Sequence, residues 1–315
     1  MEIDILVLGG AHIDRRGRID GETTPGASNP GQWIEEPGGG GLNAARSLAR
    51  LGLKVTMVSP RGGDALGQRV AEAAIEAGIN DQPFTFLDRA TPSYTAILER
   101  DGNLVIALAD MELYRLFTPR RLKVRALRET VMAANAILVD ANLPRETLEA
   151  ASLQAQALGK TIIGIGISPA KVVRYRNCLR SMDYLFMNAA EARAITEVSP
   201  EDPAQWPSLL RNIGLKGGVI TNGSGPVIAF DDSGDHALTP PKMTTLVDVT
   251  GAGDSLCAGA VSQLTKGNSL AQALRHGVAL AGLTLLSPHA TAEDLTPERL
   301  AAHLDAIPEP HALTR

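Results

Sequence analysis

The sequence predicts an α/β protein: a doubly wound, mostly parallel sheet with helices on both faces, carrying a small β-lid. Short, nearly continuous apolar runs alternate with helical stretches, the pattern of strands buried on both faces. Two segments break that rhythm. Residues 14–36 are polar and rich in Gly, Pro and Asn, and residues 93–110 read as a hairpin. The last third of the chain closes with helical patterns.

Taken in order, Ile3–Leu8 reads as a buried strand running into Gly9-Gly10, and Leu42–Leu51 as a helix stopped by Gly52. Lys54–Ser59 returns to strand, and the alanine-rich Ala65–Ala77 is a helix closed by Gly78. Further strands are expected at Ala136–Asp140, Thr161–Ile165, Tyr184–Met187 and Gly218–Thr221. Helices are expected near 145–158, 189–196, 203–213, 253–265, 269–285 and 297–304. The hairpin pairs Tyr94–Glu99 with Leu104–Leu108 around Asp101-Gly102, a strong tight-turn pair. A doubly wound sheet has no use for antiparallel pairs so early, so 14–36 and 93–110 are read together as the lid. The whole chain, 1–315, is expected to be one domain with this appendage.

Hydrophobic residues make up 44% of the chain and charged residues 21%, enough to bury a sizeable core. A net charge of −5 excludes the basic field that a nucleic-acid polymer or an anionic membrane would need. The cluster Arg120-Arg121-Leu122-Lys123 with Arg125 and Arg128 has helical spacing and reads as a solvated face. Two cysteines, Cys178 and Cys257, make neither a disulfide framework nor a metal cluster. The N-terminal apolar stretch is too short for a signal peptide, and no apolar run reaches the roughly 18 residues of a membrane span. These features point to a reduced, cytoplasmic protein.

The strongest motif is Asp248-Val249-Thr250-Gly251-Ala252-Gly253-Asp254-Ser255, followed by an apolar helical run. Small residues at a helix start let backbone N–H groups approach an anion, and the helix dipole adds positive potential there. A carboxylate in that turn would repel the anion. It makes sense as a base taking a proton from an attacking hydroxyl, while Gly251, Ala252 and Gly253 hold the developing charge. An ordinary N-cap would explain Asp254 but not the glycines before it.

Pro37-Gly38-Gly39-Gly40-Gly41-Leu42-Asn43 also leads into a helix. It is not the dinucleotide fingerprint, since a polar segment rather than a buried strand precedes it. Read alone, it is as compatible with a structural turn as with a site where Gly38, Gly39 and Asn43 bind a polyhydroxylated ligand. Asn188-Ala189-Ala190-Glu191 places two oxygen-bearing side chains on one helical face. Such a pair suits the water shell of Mg²⁺, and it equally suits a helix cap with a first-turn acid. Gly159-Lys160-Thr161 is not the end of a P-loop: the glycine needed five residues earlier is Gln154, and the order runs from helix into strand.

Together, Gly-Ala-Gly-Asp at 251–254, Gly-Gly-x-x-x-Asn at 38–43 and Asn-x-x-Glu at 188–191 resemble the ribokinase-like (PfkB) kinases in order and approximate spacing, over about residues 3–305. The resemblance implies a ribokinase-like fold, phosphoryl transfer from ATP with Mg²⁺, and a sugar held between lid and sheet. It implies Asp254 as base, Asp14 as a sugar contact, and Asn188 with Glu191 organising Mg²⁺ through water. Thr221, Gly223 and Ser224 then lie beside the nucleotide, and the carbonyls of Asp248 and Thr250 hold a monovalent cation such as K⁺. Within the family, Ala27-Ser28-Asn29-Pro30-Gly31, Pro92-Ser93-Tyr94 and Ala109-Asp110-Met111 resemble the pseudouridine kinase subgroup. That implies Ser28, Asn29, Asp110 and Lys171 as contacts to a nucleoside and pseudouridine as the acceptor.

Two departures bear on the substrate: His12 stands where relatives often carry Asn, and Ile165-Gly166-Ile167-Ser168 lacks a common Asp. Rival readings are a kinase for another nucleoside, ribose or fructose, a silent ligand-binding regulator, and a nicotinamide dehydrogenase. Intact Asp254 and Glu191 disfavour the regulator, and the absence of Gly-x-Gly-x-x-Gly after the first strand disfavours the dehydrogenase. The marginal stability of a small one-sided sheet suggests a homodimer formed through the lid.

Overall fold

A computed structural model describes residues 3–243 and 245–313. At its centre is a ten-stranded sheet. From one edge the strands are His311–Ala312, Gly234–Leu238, Val227–Asp231, Gly218–Thr221, Tyr184–Asn188, Thr161–Ile165, Ala134–Asp140, Ile3–Leu8, Val55–Val58 and Asn80–Asp81. The seven from Gly218–Thr221 to Asn80–Asp81 are parallel, and the three at the other edge are antiparallel. The first strand shows why the apolar runs are unbroken. Ile5 and Val7 face one core layer with helices Gly40–Arg50, Ala252–Leu264 and Leu270–Leu285, while Leu6 and Leu8 face another with Arg145–Ala157 and Ala189–Thr196.

The expected elements are present with small boundary shifts. The antiparallel pair Val227–Asp231 and Gly234–Leu238 was not anticipated, although Asp231-Asp232-Ser233-Gly234 between them is a turn cluster. Arg120, Lys123, Arg125 and Arg128 are exposed around two short helices, Pro119–Leu122 and Arg125–Ala133, and Arg121 lies over the rings of Phe84 and Phe86. Among the described residues, no helix is long and apolar enough to cross a membrane.

A second sheet has the order Gly31–Gly38, His12–Ile19, Ser93–Leu98, Leu104–Asp110. The polar stretch therefore contributes two strands. Its charges are used in pairs along them, such as Arg15 with Glu35 (2.5 Å) and Arg16 with Glu36. His12–Ile19 begins four residues after the first strand of the main sheet ends, so its first side chains, His12 and Asp14, stand over the carboxyl ends of the parallel strands. Those ends supply Asp140, Asn188 and Thr221, and in open α/β sheets ligands bind outside them.

Candidate active site

Asp254 sits in the first turn of helix Ala252–Leu264. Gly251 precedes it with φ 74°, and a Cβ there would collide with the Ala290 carbonyl, so only glycine fits. A Cβ at Gly253 would meet nothing within 4 Å, so this side of the turn is open to the cavity. Asp254 Oδ2 accepts from Asn43 Nδ2 at 3.0 Å. Burial, with the neighbouring carboxylates of Asp140 and Asp14, pushes its carboxyl up to about 6 against the opposing pull of the Asn43 bond and of His12. A carboxylate with that affinity for a proton, in the first turn of a helix, is suited to removing a hydroxyl proton near neutral pH.

The turn lies between two cavities that share Thr221, Val249, Gly253 and Leu256. The first, about 680 Å³, is lined by His12, Asp14, Gly39, Asn43, Lys171 and Asp254 among others. Gly39 takes φ 103°, and a Cβ there would collide with the His12 ring and the Gly10 carbonyl, just as a Cβ on Gly38 would collide with the Asp14 carboxylate. The glycines thus let a polar segment close tightly around Asp14. Asn43 Oδ1 is buried with no hydrogen-bond partner among the described residues, an acceptor suited to a ligand hydroxyl. Lys171 Nζ donates to Asn142 Oδ1 at 2.7 Å, which leaves Asn142 Nδ2 buried and without a partner among the described residues. Burial holds the Lys171 ammonium below its ordinary range. Space continues past this pair into a side cavity that also touches Glu112, Arg145 and Arg174.

The second cavity, about 700 Å³, is mostly apolar. Thr221, Gly223 and Ser224 line it together with Val227, Met243, Leu246 and Ile307. A mostly apolar cavity with a few polar groups suits a flat base, and its wall is shared with the Gly251–Asp254 turn at Gly253.

Asn188 and Glu191 form a reciprocal capping box: each side chain accepts from the other's backbone N–H at 2.9 Å. Glu191 still lines the first cavity, and burial chiefly, with Asp254 nearby, raises its carboxyl to about 7. A buried carboxylate that burial discourages from ionising fits a cation site, where a positive charge would restore its ionised form. The Asp248 carboxylate is occupied by the Thr250 N–H and hydroxyl (both 2.8 Å) and by Arg16, so for a cation only its carbonyl is left.

Three expected contacts lie elsewhere. The Asn29 amide closes its own exposed loop, accepting from Thr24 N–H and donating to the Thr24 and Ala27 carbonyls, so it is not free to read a ligand. Ser28 is exposed in that loop and does not line the cavity. Asp110 is exposed at a strand end where Ala109 and Met111 line the cavity in its place; strand alternation sends its side chain the other way.

The structure adds residues that no motif flagged. Asp140, fully buried, accepts from the N–H groups of Gly10 (2.7 Å), Gly41 (2.8 Å) and Asn142 (2.8 Å), tying three site loops together. Tyr114 Oη lies 2.8 Å from His12 Nδ1. Where an Asp is missing, Ile167 takes φ 69° and lines the cavity, a backbone state rare for a β-branched residue. An aspartate inside an ordinary strand end or a tyrosine in a short 3₁₀ turn gives no sequence signal.

The chain belongs to the pfkB family of carbohydrate kinases, whose family profile it matches over residues 2–297. It is an ATP-dependent phosphotransferase acting on a sugar or nucleoside hydroxyl. Pseudouridine kinase of Escherichia coli is 28% identical over 296 residues, covering 93% of each chain. The structure of a carbohydrate kinase from Agrobacterium tumefaciens is 55% identical, with a TM-score of 0.89 over 99% of this chain and 100% of that one. Arabidopsis thaliana ribokinase, solved with ribose and ATP, shares the fold at 20% identity, with a TM-score of 0.82 over 96% of this chain and 99% of that one.

Proposed function

We propose that this kinase phosphorylates the 5′-hydroxyl of pseudouridine. The observation that carries the reading is the Lys171–Asn142 pair, a half-buried and a buried donor that line both the acceptor cavity and the side cavity beside it. Asp14 and Asn43 hold the ribose, and the base reaches Lys171 and Asn142 with its carbonyl oxygens. Asp254 takes the proton from the 5′-hydroxyl as it attacks the γ-phosphorus of ATP in line, and the N–H groups of the Gly251–Gly253 turn meet the developing charge. ATP lies along the second cavity, beside Thr221, Gly223 and Ser224. A Mg²⁺ held through water by Glu191 and Asn188 would neutralise phosphate charge, and the carbonyls of Asp248 and Thr250 suit K⁺. The second sheet acts as a lid that keeps water from the phosphate. ADP release measured over a panel of nucleosides and free sugars tests the reading: pseudouridine should rank first, and a higher kcat/KM for ribose, fructose or adenosine would remove it.

Two further expectations arise here. Glu191→Ala should raise the Mg²⁺ needed for half-maximal rate by about tenfold or more, as loss of an outer-shell group does. Nucleoside binding without ATP should be unchanged. An unaltered Mg²⁺ dependence would leave Glu191 as part of the helix cap alone. The lid exposes Trp33, Ile34, Leu104, Ile106 and Leu108, with open strand edges at Gly31–Gly38 and Leu104–Asp110. Apolar residues gathered on an unpaired sheet suit a second copy, so light scattering should give about twice the 33.2 kDa chain mass. A monomer at micromolar concentration would refute the pairing.

A further inference from the structure

We infer that Tyr114 and His12 are positioning residues that fix the Asp14 carboxylate for the acceptor, through a directed chain Tyr114–His12–Asp14. His12 Nε2 is 3.2 Å from Asp14 Oδ1, and His12 Nδ1 is 2.8 Å from Tyr114 Oη. A nitrogen facing a carboxylate that closely carries the hydrogen, and in that tautomer Nδ1 accepts from the phenol. The phenol can only donate if it keeps its proton. Its burial and the carboxylates of Asp140 and Asp14 push its ionisation well above the ordinary range.

The ring is held on both sides. Gly39, with no side chain, lets its backbone approach His12 Cε1 and Nδ1, and Tyr114 meets the ring edge-on with centroids 6.1 Å apart. His12 is 6% exposed and Tyr114 is 2% exposed, so water competes little for these bonds. Asp14 by contrast lines the cavity. Nε2–H engages Oδ1 while Oδ2 packs against Gly38, so the carboxylate that lines the cavity is held from two sides. An asparagine at position 12 could serve the same end: its amide donates to Asp14 and its oxygen accepts from Tyr114.

This inference rests on the reading of Asp14 as an acceptor contact, and the experiment separates the two. Tyr114→Phe keeps the ring and removes only the donor, so Nδ1 can take the hydrogen and turn a lone pair toward Asp14. The KM for the acceptor nucleoside should rise by roughly threefold to tenfold, the worth of one buried hydrogen bond, with the KM for ATP within about twofold of the parent. His12→Asn should hold the acceptor KM near the parent value, and His12→Leu should not. An acceptor KM unchanged in Tyr114→Phe overturns the chain. So do equal rises in both KM values with a lowered Tm, which a structural role would give. If Asp14→Ala itself leaves the acceptor KM unchanged, the Asp14 reading fails and the chain falls with it. If Asp14→Ala raises that KM while Tyr114→Phe does not, only the chain fails. Should His12→Leu not fold, Tyr114→Phe decides alone.

Discussion

Asp254→Asn should lower turnover by roughly 10²–10⁴, the usual worth of a positioned general base. The amide is nearly the same size and can still meet Asn43, so the fold and the KM for ATP should hold. Asp254 is the carboxylate in the turn where both cavities meet, and the N–H groups of that turn can receive transferred charge but cannot remove a proton. The same assignment fixes a pH dependence. The carboxyl is raised to about 6, and a base works only when deprotonated. The rate in the parent enzyme should therefore be flat above neutrality and fall as pH drops through about 6. A variant with turnover within about threefold of the parent, or a parent rate that holds undiminished to pH 5, would reject Asp254 as the base.

Much of this site was legible in the sequence because its chemistry is local. Gly251 and Gly39 are required by positive φ and by backbone contacts that a Cβ would break, so the motifs around them stand out as glycines before helix starts. The parallel strands were legible for a similar reason: burial on both faces leaves unbroken apolar runs such as Ile3–Leu8. What was hidden depends on partners far along the chain. Asp140 reaches Gly10 and Gly41, 130 and 99 residues away, and His12 meets Tyr114 across 102. Within the lid segment 14–36, the bounds of the strands His12–Ile19 and Gly31–Gly38 were hidden too, since their cross-strand pairs are ionic rather than apolar. Asn29 shows the converse: a polar residue in a loop of expected function spends its side chain on holding the loop's shape.

The preference for pseudouridine over free ribose should be large, and it should depend on Lys171. All members of the family can share the chemistry at Asp254, so choice among acceptors must come from groups that touch the acceptor's far end. Here those are Lys171 Nζ and Asn142 Nδ2, both donors, the second with no partner among the described residues. Free ribose held by Asp14 and Asn43 carries nothing that reaches them. A buried polar group left unpaired costs about 1–3 kcal/mol, so ribose should lose roughly tenfold to a hundredfold in kcat/KM. Uridine offers carbonyl oxygens to the same two donors, so these groups separate both nucleosides from free ribose, while the extra ring N–H of pseudouridine is itself a donor and gains nothing from Lys171 or Asn142. Lys171→Met keeps the apolar stem and removes the donor. It should lower kcat/KM for pseudouridine by about tenfold or more while leaving ribose within about threefold, narrowing the gap between the two. Equal losses on both acceptors would mean that Lys171 supports the cavity wall and that choice is made elsewhere.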